Sequence, residues 1–260
     1  MDLQALLAGI EPIVRRAGAY IRTAVPSSVD EKSNHSDLVT EYDVNTQRML
    51  MSDLAALHPE ANFMGEEEHL EADIRTGDCF VIDPIDGTTN FVKGFNRSCI
   101  SVALLRNGQP AAGVVYNPWN DEYYSALKGQ GALLNGTPIR VQNTPLKDSV
   151  VGCGTCPYYP DLAQKTLRVC SVILNTALDI RRMGSAALDL CDAAMSRTGA
   201  FFELKLSPWD YAAAGLILTE AGGEITDTEG NPVSLSHPSP VVAGNPIARK
   251  ELEEIIRNTK

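Results

Sequence analysis

The first sixty residues show the spacing of apolar positions that is typical of helices. Apolar side chains recur at steps of three and four residues over positions 3–21, which predicts an amphipathic helix. A second helix is predicted over about 37–57, where His58 and the proline after it end the pattern. The polar stretch 27–37 has no periodicity and predicts a loop or a short hairpin around Lys32.

The rest of the chain alternates short apolar runs with turn residues, which predicts a mixed α and β fold. The predicted strands cover positions 62–64, 79–82, 99–105, 111–117, 122–126, 149–152, 177–181, 200–203, 224–226 and 240–243. The predicted helices cover positions 161–174, 184–195, 209–221 and 247–257. Because no repeat or linker interrupts the chain, we expect residues 1–260 to form a single domain with two fused halves, about 1–145 and about 146–260.

Composition and charge exclude several classes of protein. The chain has 260 residues, of which 44% are hydrophobic, and this is ordinary for a globular protein. Its net charge of −11 repels phosphate backbones, so we expect no nucleic-acid partner. No apolar run approaches the length of a membrane span and no secretory signal is evident, so we expect no membrane association. Six cysteines are too few for a disulfide framework, which predicts a reduced, cytoplasmic protein.

Carboxylates stand at three places where one predicted element passes into the next. Glu66 and Glu67 follow a strand, Asp83 and Asp86 follow a buried strand, and Asp210 begins a helix. Ligand sites in layered α/β proteins gather at the carboxyl ends of strands. Crowded carboxylates raise one another's pKa unless a cation lies between them, and Mg²⁺ combines one or two carboxylates with waters and phosphate oxygens. The pattern therefore predicts a Mg²⁺ site that acts on phosphate.

The segment 83–91, Asp-Pro-Ile-Asp-Gly-Thr-Thr-Asn-Phe, is the most informative stretch of the sequence. Pro84 stiffens the chain and Gly87 permits a tight turn, so the carboxylates of Asp83 and Asp86 can bend toward one point. The residues that follow can open a helix with outward N–H groups. An Asx-Pro turn before a capped helix explains the proline, the glycine and one aspartate. It does not explain a second aspartate and two glutamates, whose crowding favours a bound cation.

These motifs resemble those of the inositol monophosphatase family, metal-dependent sugar and polyol phosphatases related to fructose-1,6-bisphosphatase. The matching pieces, in chain order, are Lys32 with 37–43 (DLVTEYD), 65–67 (GEE), 83–91 (DPIDGTTNF), 184–187 (GSAA), 209–210 (WD) and 220–223 (EAGG). The resemblance implies an α+β fold, the layered α-β-α-β-α sandwich of this superfamily, forming a single catalytic domain that is usually a homodimer. It implies Mg²⁺-dependent hydrolysis of a phosphate monoester, most directly inositol-1-phosphate, with inhibition by lithium.

The resemblance also implies roles for individual residues. Glu66, Asp83 and the carbonyl of Ile85 would hold the first of two to three Mg²⁺ ions, and Asp83, Asp86 and Asp210 the second, with Glu66 and waters at a weaker third. Glu66 and the Thr88 hydroxyl would activate a water, making Glu66, Thr88 and Asp83 the catalytic set. Substrate contacts would come from Asp86, Gly87, Thr88, Gly184, Ala186, Glu203 and Asp210. Lys32 and Asp43 would belong to an N-terminal part close to Thr88.

Four further signals stand outside these motifs. Cys153 and Cys156 have the spacing of a redox pair but lack its usual context, and Arg181-Arg182 favours a salt bridge or subunit contact over the alternative of a phosphate contact. Glu67 is a candidate for a position behind Glu66, and Trp209 for a core residue that orients Asp210. Lys205 stands two residues after Glu203, where it is either a solvated strand residue or a group that recognises a second anion on the substrate. Lys93 and Asn96 differ from the His and Pro that are frequent there in the family.

Other functions stay open on the same residues. Within the family, fructose-1,6-bisphosphatase and histidinol-phosphatase are alternatives, whereas a 3′-phosphoadenosine-5′-phosphate phosphatase is disfavoured because Thr89-Asn90 replaces a charged pair. An alternative of a different class is a regulatory protein that binds a macromolecular partner. The full set of carboxylates favours the enzyme.

Overall fold

Helical layers and β-sheets alternate through the molecule. The structure is a computed structural model that describes residues 2–24, 29–31, 38–67 and 72–259. Its helices are α1 (Leu3–Arg22), α2 (Glu41–Leu57), α3 (Thr88–Lys93), α4 (Pro160–Ile173), α5 (Ala186–Ala194), α6 (Pro208–Glu220) and α7 (Pro246–Asn258). Its strands are β1 (Val29–Glu31), β2 (Leu38–Thr40), β3 (Asn62–Gly65), β4 (Asp78–Asp86), β5 (Cys99–Arg106), β6 (Gln109–Asn117), β7 (Glu122–Leu127), β8 (Ala132–Leu134), β9 (Thr137–Ile139), β10 (Val150–Cys153), β11 (Asp179–Arg181), β12 (Ala200–Leu206), β13 (Glu224–Thr226) and β14 (Ser239–Gly244).

The two large sheets have different topologies. The first has seven strands in the order β3-β4-β5-β6-β7-β8-β9, and only β3 and β4 run parallel. The second has five strands in the order β11-β10-β12-β14-β13, with β10 parallel to both of its neighbours. Helices α1 and α2 cover the first sheet, α5 and α6 lie between the sheets, and α4 and α7 cover the second. The expected α-β-α-β-α layering is therefore confirmed, while the division near residue 145 stays a prediction.

The middle helical layer is unusual in being apolar on almost every side. In α6, nine residues from Pro208 to Leu218 are buried, since one face of the helix meets each sheet. Gly113 of β6 lets the layers approach closely, because a β-carbon there would lie 2.7 Å from the backbone oxygen of Ala213. This tight packing fixes the start of α6, and with it Asp210, relative to the first sheet.

Several boundaries differ from those predicted, with local physical reasons. Helix α2 begins at Glu41 rather than near residue 37, because Thr40 caps it and residues 38–40 pair with β1 as the predicted hairpin. Helix α5 begins after Gly184, at Ala186, because Ser185 caps it. Strands β8 and β9 are absent from the prediction, which placed only turns there. Lys32 lies outside the described residues. No helix in the described ranges has both the length and the apolarity to cross a bilayer.

Candidate metal and phosphate site

The predicted site residues meet in a cleft of about 390 Å³ formed by the end of β4, the start of α5, strand β12 and the start of α6. Its lining includes the predicted residues Glu66, Asp83, Ile85, Asp86, Gly87, Thr88, Gly184, Ala186, Glu203, Lys205 and Asp210. Asp43 reaches the cleft through Thr88, whose Oγ1 lies 3.0 Å from Asp43 Oδ1. Glu67 is buried behind the lining, where its backbone N–H and carbonyl bind the amide of Gln47.

Three aspartates from different elements form the centre of the cleft. Asp83, Asp86 and Asp210 each offer a carboxylate oxygen, and these three oxygens lie within 4.8 Å of one another. Sequence reasoning ended the strand before Asp83, but β4 continues to Asp86 through an irregularity, in which Asp83 pairs with Ser101 and Asp86 with Cys99. In a regular strand, positions three apart point to opposite faces, so the extra residue lets both carboxylates point to the same side.

Glu66 and Asp210 are held in place by backbone groups of neighbouring elements. Strand β3 runs parallel to β4 with Gly65 opposite Ile82, so Glu66 and Asp83 leave the same edge of the sheet. Asp210 is the third residue of α6, and its Oδ2 accepts a 2.7 Å hydrogen bond from the Ser207 N–H in a capping box. Trp209 packs partly buried against the core beside Asp210, and its predicted part in orienting Asp210 stays a prediction. The Asp210 carboxylate is therefore fixed before any ligand binds, and Glu66 is positioned by its backbone, whose N–H donates to the Ile82 carbonyl oxygen at 3.2 Å.

The electrostatics of the cleft favour a bound cation. Burial, together with the negative charges of Glu66, Asp86 and Asp210, raises the pKa of Asp83 well above its ordinary value. Burial raises the pKa of Asp86 to about 6, and burial with the charge of Asp86 raises that of Asp210. The donors at this centre are all oxygen atoms, the set that hard divalent cations such as Mg²⁺ prefer. A divalent cation thus fits this part of the cleft.

Asp86 is oriented by Ser185, which belongs to the 184–187 motif but had no role predicted from the sequence. Ser185 Oγ donates a 2.5 Å hydrogen bond to Asp86 Oδ2, and the N–H of Ala187 donates another of 2.8 Å to the same atom. Ser185 also caps α5, where its oxygen accepts from the N–H of Leu188. A serine immediately before an apolar helical run was the available signal.

Replacing Ser185 with alanine should weaken cation binding more than it weakens the fold. We expect a loss of about 1 kcal/mol in unfolding free energy from the missing cap. We also expect about a tenfold higher Mg²⁺ concentration for half-maximal thermal stabilisation, because Asp86 loses a donor that orients it. Asn245→Ala is the control, since Asn245 caps α7 away from the cleft, and it should lower stability without changing the Mg²⁺ midpoint. Equal Mg²⁺ midpoints in the two variants would contradict this role for Ser185.

Gly87, Thr88 and Asp43 form a second arrangement beside the aspartates. Gly87 has φ +89°, and a β-carbon there would approach the backbone oxygens of Arg97 and Gly184 to 3.1 Å, so glycine is required twice over. The hydroxyl of Thr88 lies 3.0 Å from Asp43 Oδ1 and 3.1 Å from the carbonyl oxygen of Ile85. Burial raises the pKa of Asp43 to about 6, although hydrogen bonds from Thr40 lower it. The carboxyl group of Asp43, whose pKa is close to neutral pH, therefore lies next to the Thr88 hydroxyl.

Glu203 also lines the cleft. Its Oε1 accepts a 3.1 Å hydrogen bond from the N–H of Cys156, and a β-carbon at Gly154 would overlap the carboxylate. Burial raises the pKa of Glu203 to about 7, while the Cys156 N–H and the charge of Arg182 lower it. Sequence reasoning did not assign Gly154 or the backbone of Cys156, because this contact joins positions far apart in the chain.

The cysteine and arginine pairs each separate in the structure. Cys153 lies beside Cys170, with 3.8 Å between the sulfur atoms, whereas the Cys156 sulfur lies 3.9 Å from the Lys205 carbonyl oxygen, so 153 and 156 do not face each other as a redox pair. Arg181 forms an ion pair with Asp179, but Arg182 lines the cleft. The predicted salt bridge thus applies to the first arginine only.

A further acid of the cleft was not predicted. Asp189 of α5 lines it and accepts a 2.8 Å hydrogen bond from Arg97, which also binds Asp192 at 2.7 Å. Burial raises the pKa of Asp189 to about 7, and the arginine lowers it. Its ion pair distinguishes it from the central aspartates, which form no ion pair with a basic side chain among the described residues.

Comparison with known proteins agrees with this geometry. The model of the inositol monophosphatase family matches residues 2–260. An inositol-1-monophosphatase from Rhizobium meliloti is 39% identical over 227 residues, covering 85% of this chain and 84% of its own length. A Nus factor SuhB from Xylella fastidiosa is 36% identical over 200 residues, covering 76% and 72%. The crystal structure of the extragenic suppressor protein suhB from Bartonella henselae superposes with a TM-score of 0.92 at 33% identity, covering 98% of this chain and 100% of that one. The chain belongs to the inositol monophosphatase family.

Proposed function

We propose that the protein is a Mg²⁺-dependent phosphatase that hydrolyses phosphate monoesters, with inositol-1-phosphate as its leading substrate. The observation that most supports this proposal is the group of three aspartate oxygens within 4.8 Å at the centre of a cleft large enough for a small polyol phosphate. The relative from Rhizobium meliloti named inositol-1-monophosphatase supports the choice of substrate.

The residues that would hold Mg²⁺ are Asp83, Asp86, Asp210, Glu66 and the carbonyl of Ile85, with two to three ions proposed. When bound, divalent cations neutralise the charge of a phosphate dianion and lower the pKa of water. Substrate phosphate would then lie against the amides of Gly87 and Thr88, which line the same cleft.

The chain's own residues can hold and move a proton beside the phosphate. Thr88 Oγ1 has one hydrogen, and when it is donated to Asp43 Oδ1 at 3.0 Å, a lone pair of Thr88 remains to accept a hydrogen bond from water. The pKa of Asp43, about 6, suits a carboxylate that accepts a proton near neutral pH. Glu203 would bind hydroxyl groups of the alcohol, since the Cys156 N–H occupies only one of its lone pairs.

The Thr88 hydroxyl provides the test. With Mg²⁺ and inositol-1-phosphate we expect phosphate release, and in Thr88→Ala we expect kcat to fall about 100-fold or more because the proton path to Asp43 is broken. Thr89→Ala is a matched control, since Thr89 also lines the cleft but is not among the residues that hydrogen-bond Asp43 in the described chain. It should change kcat by less than about threefold, because surface substitutions usually have effects of this size. A normal kcat in Thr88→Ala would contradict the proton path. No phosphate release from inositol-1-phosphate, fructose-1,6-bisphosphate or histidinol phosphate would contradict the proposed function.

A regulatory role is the second candidate, and the relative from Xylella fastidiosa named Nus factor SuhB supports it. Such a role would use the outer surface rather than the cleft. An Asp83→Asn variant would then lose phosphatase activity and keep the regulatory activity.

Three further proposals concern the state of the protein. We propose a homodimer, supported by exposed apolar side chains within α4 (Leu167) and shortly after it (Leu174 and Leu178). We propose a cytoplasmic location, supported by six cysteines that are all free thiols. We propose inhibition by lithium, on the family resemblance alone.

A further inference from the structure

We propose that Arg182 and Lys205 form a second anion subsite, which extends the substrate range beyond inositol-1-phosphate to phosphate monoesters whose alcohol part bears another phosphate or a carboxylate. This inference rests on the proposed phosphatase function and specifies its substrate class. Both residues line the same cleft as the three aspartates and Glu203.

Lys205 faces the cleft because of its position in β12. Residues 202, 204 and 206 of this strand are buried, whereas Glu203 and Lys205 between them are half-buried, and both line the cleft. The ammonium of Lys205 lies 3.9 Å from the centroid of the Tyr159 ring. A cation over an aromatic ring at a partly exposed site gains little energy, so an incoming anion can bind the ammonium while the ring keeps it in place.

Arg182 lines the same cleft. It is exposed, and a β-carbon at Gly184 would lie 2.8 Å from its Nη1, so the guanidinium lies against this glycine, which also lines the cleft. The guanidinium is also close enough to Glu203 for its charge to act on that carboxyl. Both cations are therefore near Glu203: Lys205 is two residues further along β12, and Arg182 is close enough for its charge to act on that carboxyl.

Neither cation has a carboxylate partner among the described residues, and this distinguishes Arg182 from several arginines elsewhere in the molecule. Arg97, Arg106, Arg181, Arg197 and Arg249 each have a carboxylate within ion-pair distance. Among the described residues, neither Arg182 nor Lys205 forms a hydrogen bond or an ion pair with a carboxylate. The two unpaired cations make their part of the cleft positively charged, whereas the acids make its centre negatively charged. A substrate with anionic groups at both ends matches this pattern, because its ester phosphate faces the proposed cation site and its second anion faces Arg182 and Lys205.

The alternative is that the two cations only reduce the negative field of the cleft. A general field effect would act on the ester phosphate of every substrate, so it would change all substrates by the same factor. A subsite acts only on substrates with the second anion. Pairs of esters that differ in that group alone separate the two explanations.

The test compares kcat/KM for two matched pairs in Mg²⁺: 6-phosphogluconate against sorbitol 6-phosphate, and fructose 1,6-bisphosphate against fructose 1-phosphate. The first pair tests a carboxylate and the second a phosphate. In the wild type we expect the anionic member of at least one pair to be preferred about tenfold, as for charge-assisted hydrogen bonds. Lys205→Gln and Arg182→Gln should each lower this preference about tenfold. Lys93→Gln and Arg181→Gln are controls, since Lys93 ends α3 outside the lining and Arg181 is paired with Asp179, and both should keep it.

Two results would overturn the subsite: a wild-type ratio near one in both pairs, or a ratio that neither cleft substitution changes. Failure of the phosphatase function is distinguishable, because then none of the four esters releases phosphate. In that case calorimetry in Mg²⁺ measures binding without turnover. Tighter binding of 6-phosphogluconate than of sorbitol 6-phosphate, lost in Lys205→Gln, would support the subsite, and equal affinities would refute it.

Discussion

Asp83→Asn is expected to abolish phosphate release and, at the same time, to make the metal-free protein more resistant to heat. Asp83 is 1% exposed and lies among Glu66, Asp86 and Asp210, whose charges oppose its ionisation. Asparagine keeps the oxygen that accepts from the N–H of Ile85 at 3.1 Å, so the local backbone should not change. It removes one buried negative charge from a group that has too many.

The expected size of each effect follows from the neighbours of Asp83. We expect kcat/KM for inositol-1-phosphate to fall at least about 1000-fold, since loss of preorganised charge at a reacting centre has effects of this order. In EDTA we expect the unfolding free energy to rise by about 1–3 kcal/mol, the usual cost of one uncompensated buried polar group. Added Mg²⁺ should raise the Tm of the wild type and hardly affect the variant, because a ligand stabilises only a fold that binds it.

Asp192→Asn is the matched control for a buried aspartate. Asp192 is 5% exposed but binds Arg97 and Arg197, so its charge is compensated. We expect this variant to lose about 1–3 kcal/mol of unfolding free energy, with or without Mg²⁺, because two arginines lose a partner. If Asp83→Asn were destabilised in EDTA as much as Asp192→Asn, then Asp83 would be a structural residue and the cation site would need other ligands.

The metal-free protein should lose stability as the pH rises from about 4 to about 8. Burial raises the pKa values of Asp86 and Asp43 to about 6, and those of Asp189 and Glu203 to about 7. A carboxyl with a raised folded-state pKa holds its proton longer in the folded chain than in the unfolded chain. Its stabilising contribution is therefore complete below the unfolded pKa, near 4, and is lost as the pH passes the folded value.

The effect is large because several groups titrate in the same direction. One pKa unit corresponds to about 1.4 kcal/mol, so Asp86 alone accounts for about 3 kcal/mol. Hydrogen bonding to Arg106 lowers the pKa of Asp78 to about 2, so its opposite contribution changes only below pH 4. Urea unfolding in EDTA between pH 4.5 and 7.5 measures the sum. Excess Mg²⁺ should flatten or reverse the trend, since cations bind the deprotonated acids. Stability that rises with pH in EDTA would show that the carboxyls are already compensated.

Much of the site could be predicted from sequence because its ligands sit in short local motifs. The run from Asp83 to Asn90 contains a proline, a glycine and two aspartates, and these limit the backbone and the chemistry together. The irregularity in β4 was beyond reach, since it depends on pairing with β5. The cap of α2 was within reach: Thr40 and Asp43 have capping-box spacing, yet the helical periodicity favoured an earlier start.

The contacts that sequence reasoning missed join residues far apart in the chain. Asp86 and Ser185 are 99 positions apart, and Cys156 and Glu203 are 47 apart. Whether Gly154 faces a carboxylate or a solvent molecule depends on how β10 and β12 align, and no local pattern fixes that register.

The division of the acids between the two sheet systems has a consequence for the order of folding. Asp83 and Asp86 belong to the first sheet, whereas Asp210 begins a helix that follows three strands of the second. Closing so long a segment of chain is among the costly steps of folding, and partly folded chains have not yet completed it. The three carboxylates can come together only when α6 has docked between the sheets. The ion would therefore bind only the folded chain, where it connects the layers. It would slow unfolding without speeding folding.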